Sequence, residues 1–543
     1  MENVTQEKIA LVAVHGVARH PRYEFQDQVA GDLCRRLNEV QRDAWAIDVV
    51  NPGNVLRPGE DDPQPTISRV HKKDDDVVNP KDTYFDVMEA YWSAIDKGRT
   101  NWLSIVGWLL RLVFAPFNTT ARLNAGTPKQ FFDYAYIGGA LALAFGLFFV
   151  SISAVWQSFL RILDVTGILR HSAAGDVLLT LDSNADAPGG VPIKIVVWLF
   201  VGFLGAFLVS EAMSAIVKIF QQRSGLRHNP DAVWHRSVAI AILAISGSAL
   251  VYAMAVARFA HGALGWRGIV FLILIFVAFS LGRSLLIDFL VGFFGDVQIY
   301  TTRDENDSKF YDLRDGILRA ATNAIINAIS PEVNGGRNYD RVIVLTHSLG
   351  ATIAMDAIVR AYQLAAQGAL TNDQFLKIRA FVTAGSSLEK TRYFFDSSGR
   401  SPALSFEQWR NDAYGSLFTC DPAALGGAAG KGIFWANYWY FQDPICNEIR
   451  SYRSYLKPGE SLDTARSLRL SRTGTDDWDD GEGDRPICRN ERGNKHITLF
   501  HPMLHSDYLD DDWFWRSSPG HVGALDIIAF PANATQFIAA SPP

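Results

Sequence analysis

The chain has 543 residues, a net charge of −6, 14 tryptophans and four cysteines. That length is about three or four domains' worth of chain, with ample material for a sizeable core. The acidic balance excludes the basic footprint of a nucleic-acid binder. Cys34, Cys420, Cys446 and Cys488 are scattered without metal-ligand spacing, and no signal peptide precedes the first strand, so a reducing compartment is expected.

Lys8 to Val14 reads as a buried strand and ends in His15-Gly16-Val17. Residues 24–38 carry Phe25, Val29, Leu33 and Leu37 at helical spacing. Ala46 to Val50 and Phe85 to Trp92 read as further strands, with a polar, Pro- and Asp-rich loop over 51–83 between them.

From about residue 102 the composition turns apolar. Trp102 to Phe117 suits a membrane interface. Four long apolar segments follow, at 134–156, 193–214, 237–257 and 266–287, each near the ~20 residues that cross a hydrocarbon core. A buried helical bundle is the competing reading of this block. The loop between the second and third segments carries Lys218, Arg223, Arg227 and Arg236, which by the positive-inside rule places it and both chain ends in the cytoplasm. The expected organisation is therefore 1–101 and 296–543 as two parts of one domain, split by a membrane block over 102–295.

After the block, Asp296 to Thr301 reads as a strand and 313–329 as a helix. Arg341 to Gly350, RVIVLTHSLG, is the stretch around which the rest is organised. Val342 to Leu345 has the length and branching of a buried strand, and Ala351, Ile353, Ala354, Ala357 and Ile358 mark a helix directly after it. A serine in so tight a strand-to-helix turn fits a nucleophile elbow, with Ser348 as the nucleophile. Thr346 stands where G-x-S-x-G has its first glycine. A plain serine N-cap is the competing reading.

Ile378 to Ala384 is the next strand, followed by Gly385-Ser386-Ser387; Gly432 to Tyr440 is a later one and runs into Asp443-Pro444. Asp443, just past a strand end, is placed to orient a histidine, with Glu389 and Asp396 as rivals. The histidine candidates are His496, His501, His505 and His521; His505, in the loop HPMLHSDYLDD, is preferred. Asp476, Asp477, Asp479, Asp480, Glu482 and Asp484 form an acidic loop without EF-hand spacing, read as solvated.

His15-Gly16, Thr346 to Gly350, Trp435 to Pro444 and His505 to Tyr508 together resemble the lipase and serine-esterase branch of the α/β-hydrolase superfamily, including membrane inositol-deacylase-like proteins. The resemblance covers residues 5–100 and 296–530. It implies an α/β-hydrolase sheet, here interrupted by about four transmembrane helices, and an acyl-enzyme formed on Ser348. It also implies His505 as base, Asp443 as its orienting acid, and the N–H groups of Val17 and Leu349 as the oxyanion hole. No cofactor or metal is implied. The expectation is thus a multi-pass membrane serine hydrolase with its catalytic domain in the cytoplasm, acting on lipid or acyl esters at the bilayer. A thioesterase, a protein deacylase, or a membrane scaffold or pore-forming effector with a degenerate hydrolase domain are the alternatives.

Overall fold

In a computed structural model, the described residues are 7–17, 21–42, 44–50, 66–77, 80, 82–95, 104–105, 107–109, 294–301, 308–398, 414–426, 432–440, 443, 445–449, 452–454, 485–493, 505 and 508–540. Contacts divide the chain into two compact units: Met1–Thr100 with Asp296–Pro543, and Asn101–Gly295. The first contains a mixed nine-stranded sheet.

In chain order the strands are β1 (Lys8–Val14), β2 (Trp45–Val50), β3 (Ile67–Lys72), β4 (Tyr84–Glu89), β5 (Arg341–His347), β6 (Ile378–Ala384), β7 (Phe418–Thr419), β8 (Ile433–Tyr440), β9 (Arg453–Ser454), β10 (Arg485–Pro486) and β11 (Arg489–Gly493). Across the large sheet the order is β11-β8-β6-β5-β1-β4-β3-β2, with β7 also on β8, while β9 and β10 form a separate pair. From β4 to β11 all neighbours are parallel; β3 is antiparallel to β4 and β2.

The helices are α1 (Glu24–Gln41), α2 (Gly295–Thr301), α3 (Ser308–Ile329), α4 (Gly350–Ala366), α5 (Asn372–Phe375), α6 (Leu388–Ser398), α7 (Asp512–Trp515), α8 (Ala524–Ala529) and α9 (Pro531–Ala540). Side chains alternate along a strand, so each face of the sheet needs its own cover. Ile9, Leu11, Ala13, Ile343, Leu345, Ala380 and Val382 share one core with Phe25, Val29 and Leu33 of α1 and with Leu525, Ile527 and Ile528 of α8. The alternate residues Ala10, Val12, Val342 and Val344 are equally buried. Helices α3 and α4 pack against β1 and β5 and against each other. With both faces covered, the central strands are apolar without alternation, which is why they were legible as short continuous runs.

The strand order reverses at β1. The chain goes from β1 to β4 on one side, then returns to β5 on the other and steps outward to β6, β8 and β11. The carboxyl ends of β1 and β5 therefore diverge at a topological switch point, where a crevice forms in open α/β sheets.

Two expectations are corrected here. Among the described residues, no helix is long and apolar enough to cross a membrane. The longest, α3, has 22 residues but carries Lys309, Asp312, Arg314, Asp315 and Arg319. It is an amphipathic helix of a globular core, not a span. The structure thus gives a mixed α/β sheet flanked by such helices, in place of a sheet interrupted by about four transmembrane helices and a multi-pass membrane location with a cytoplasmic catalytic domain. The four apolar segments between 134 and 287 themselves lie outside the described residues, as do most of Trp102 to Phe117 and the acidic loop at 476–484.

Two local readings also change. Asp296 to Thr301 is helical, not a strand; a short apolar run has no periodicity to separate the two. Thr301 Oγ1 donates to the Val297 carbonyl one turn back, and Tyr300 donates to Asp356 of α4. Within the expected loop 51–83 lies β3, whose Arg69 makes a buried two-pronged ion pair with Asp86 at 2.7 and 2.8 Å.

Candidate active site

The turn from β5 into α4 holds Ser348 at φ 55°, a left-handed conformation that is strained for a residue with a Cβ. Its N–H donates to the Ala384 carbonyl at 3.1 Å, tying the elbow to the end of β6. The strain lifts the serine off the strand line while the N–H groups of Leu349 and Gly350 open α4 without intrahelical partners.

Close backbone approach explains the glycines. A Cβ on Gly350 would lie 2.4 Å from the Val14 carbonyl oxygen and 2.5 Å from that of His15. A Cβ on Gly16 would lie 2.7 Å from the Ser348 Cβ. The end of β1 and the start of α4 thus meet backbone to backbone, which only glycine allows. At Thr346, by contrast, there is room. Its side chain is fully buried and its hydroxyl reaches the Val382 carbonyl at 3.4 Å. A threonine is thus accommodated where the motif has its first glycine.

Asp443 follows β8, its N–H bonded to the Tyr440 carbonyl at 3.1 Å. Its Oδ1 accepts the Ile445 N–H at 2.8 Å, an Asx turn, and its Oδ2 accepts from His505 Nδ1 at 2.7 Å. Burial alone would raise this carboxyl. The His505 ring, the Ile445 N–H and the Cys446 thiol together outweigh burial and hold it well below the usual carboxylate range. Asp443 is therefore ionised, His505 Nδ1 carries the proton, and Nε2 is left with a lone pair.

Two buried polar atoms in this region have no hydrogen-bond partner among the described residues, and so none in each other: Ser348 Oγ and His505 Nε2. One is a donor and the other an acceptor. They flank the same short segment. Ser348 is bonded to Ala384, and a Cβ on the next residue, Gly385 at φ 59°, would lie 3.1 Å from His505 Cε1. His347, next to Ser348 in the chain, has its ring centroid 4.8 Å from that of His505, and its Nε2 donates to the His505 carbonyl at 2.6 Å.

On the other side of the elbow, His15 Nδ1 donates to the Gly16 carbonyl at 2.9 Å, and the His15 ring stacks on Trp92 at 4.7 Å. A trans peptide points its C=O and N–H in opposite directions, so this bond turns the Val17 N–H away from His15. Val17 itself is buried beside the elbow.

The rival residues are elsewhere. Glu389 and Asp396 fall within α6. His521 has both ring nitrogens engaged, Nδ1 with Glu491 and Nε2 with the Trp513 carbonyl, each at 2.7 Å. His496 and His501 lie outside the described residues. Sequence reasoning did not assign a role to His347 or Tyr508, although both sit inside the stretches it singled out. Among the described residues no cluster of His, Cys, Asp and Glu is placed to hold a metal ion.

Fold and site together define a class: a doubly covered, mostly parallel α/β sheet with a strained serine at its switch point and an acid-oriented histidine at the same edge. No family model matches, and neither a curated protein nor a solved structure matches the chain.

Proposed function

We propose that the chain is a serine ester hydrolase that works through an acyl-enzyme on Ser348. The observation that carries the reading is the complementary pair of unpartnered atoms, Ser348 Oγ and His505 Nε2, with Asp443 occupying the other ring nitrogen. The order of the three along the chain, serine, acid, histidine, is that of the α/β-hydrolases. Their positions after β5, after β8 and after β11 support the same likeness.

In the reaction His505 Nε2 takes the proton of Ser348 Oγ as the oxygen attacks an acyl carbonyl. The N–H of Leu349, at the positive end of α4, and the N–H of Val17 receive the oxyanion. The imidazolium, held by Asp443, gives its proton to the departing alcohol. Water then enters, is deprotonated by the same nitrogen, and releases the acid. The expectation of lipid esters rested on the membrane block and is not carried over; the substrate class is an acyl ester.

The test is turnover of a short-chain aryl ester by the full chain. Ser348→Ala is expected to lower kcat by roughly 10³-fold or more. Equal turnover by the wild type and Ser348→Ala would refute the assignment. Oxygen and sulfur esters of one acyl chain, run side by side, separate an esterase from a thioesterase.

A further inference from the structure

We propose that Tyr508 is a positioning residue that fixes the Asp443–His505 pair by directing its hydroxyl proton onto the carboxylate. The proposal rests on the serine-hydrolase reading. Tyr508 stands three residues after His505 and is fully buried. Its hydroxyl donates to Asp443 Oδ2 at 3.0 Å, the same oxygen that takes the His505 proton.

The direction of that bond follows from the charge on Asp443. The phenol oxygen accepts the Tyr440 N–H at 2.9 Å, and an amide can only donate. Cys446 Sγ lies 2.9 Å from it. Burial pushes the Cys446 thiol up, and the Asp443 charge adds to this, so the sulfur keeps its proton; either the thiol or the phenol can donate across that contact. Asp443, ionised, can only accept, so its 3.0 Å contact with the phenol oxygen is made by the Tyr508 proton. Burial also pushes the Tyr508 hydroxyl up, with the Asp443 charge behind it, so it stays protonated.

The ring is held as firmly as the hydroxyl. It packs on Tyr440 with centroids 4.6 Å apart, and its Cε2 would lie 2.8 Å from a Cβ on Gly385. The glycine that backs His505 therefore backs Tyr508 as well. Among the described residues, the other titratable groups near the pair are His347, whose ring is tilted by 40° against that of His505, and Lys390 of α6, whose charge interacts with Asp443. Neither is altered by the variants below.

A carboxylate oxygen shared between two donors has less charge to offer each. Without the phenol proton, Asp443 holds the imidazolium more strongly, and the base stays protonated to higher pH. In Tyr508→Phe we expect kcat to fall roughly tenfold with KM little changed. The acid limb of kcat/KM is expected to move up by roughly half a pH unit. Tyr508→3-fluorotyrosine keeps the hydroxyl as a stronger donor, so its limb is expected to move down; this variant reads the same bond if Tyr508→Phe does not fold. Tyr438→Phe is the structural control. It loses a buried hydroxyl bonded to the Val522 carbonyl at 2.7 Å, also on β8 but away from Asp443. It is expected to lower the thermal midpoint and leave the limb in place.

Fluorophosphonate labelling separates the two levels of claim. Wild type that does not label at Ser348 overturns the hydrolase reading. Wild type that labels, together with a Tyr508→Phe limb and kcat like the wild type's, overturns the positioning role. So does a limb that moves equally in Tyr438→Phe.

Discussion

His347 Nε2 lies 2.6 Å from the carbonyl oxygen of His505, so the residue beside the candidate nucleophile holds the backbone of the candidate base. A carbonyl only accepts, which fixes the proton on that nitrogen. His347→Phe keeps a ring against His505 but removes the donor. Its kcat toward an aryl ester is expected to fall roughly three- to tenfold, the worth of one partly buried hydrogen bond. His347→Gln, which can still donate, is expected to recover part of the loss. Steady-state kinetics on the three proteins check this, and equal rates in all three would remove the clamp from the account.

The two glycines at the β1–α4 junction should differ in what they damage. Gly350→Ala drives a Cβ into the backbone oxygens of Val14 and His15, which cannot retreat. Urea unfolding is expected to show a loss of about 2–3 kcal/mol or more. Gly16→Ala presses instead on the Ser348 Cβ. Its activity is expected to fall much further than its stability, since a displacement of about 1 Å at a nucleophile costs on the order of 100-fold. The reverse pattern would mean that the elbow is not where the chemistry occurs.

Two buried histidines make opposite predictions. His505 has a vacant nitrogen and His521 has none. His505→Gln is expected to abolish turnover by roughly 10³-fold or more while leaving the unfolding midpoint close to wild type. His521→Gln disrupts the Glu491 and Trp513 contacts and is expected to lower the midpoint while native samples still turn over. Kinetics and thermal melts on both variants separate a base from a structural residue.

Asp32 on α1 supplies a pH test of stability. Burial, with Asp510 adding to it, raises its carboxyl to about 6, against the opposing pull of Arg35 and Arg36. One oxygen meets Arg35 at 2.5 Å and the other is buried without a partner among the described residues. Between the ordinary carboxylate value and 6 the folded state holds a proton that the unfolded state has lost. Stability from this group therefore falls as pH rises through that window and stays low above it. By linkage the cost at pH 7 is about 3 kcal/mol. Asp32→Asn is expected to recover about 1–2 kcal/mol of it, because the Arg35 bridge weakens at the same time. At pH 4 the gain should shrink to near zero. Urea titrations at the two pH values decide, and a gain independent of pH would contradict the assignment.

The central strands, and with them the candidate site residues past their ends, were legible because burial on both faces leaves an unbroken apolar signal. Val342 to Leu345 and Ile378 to Ala384 stand out for that reason, and the serine, acid and histidine follow strand ends. Charged strands were not legible. In β3, Arg69 reads as loop until its partner Asp86 is seen on the neighbouring strand. In β11, Arg489 and Glu491 pair with each other, and the strand's charge suits its place at the sheet edge. Asp296 to Thr301 failed for another reason, since seven residues are too few for a period. The membrane reading rested on apolar segments and loop charge that lie outside the described residues, while among the described residues no helix is long and apolar enough to cross a membrane.

Intact-mass and peptide mapping after treatment with a fluorophosphonate test the central claim most directly. The account predicts one adduct per chain, on Ser348, formed at native pH and lost on denaturation or in His505→Gln. An unmodified chain, or an adduct on another serine with Ser348 untouched, would contradict it.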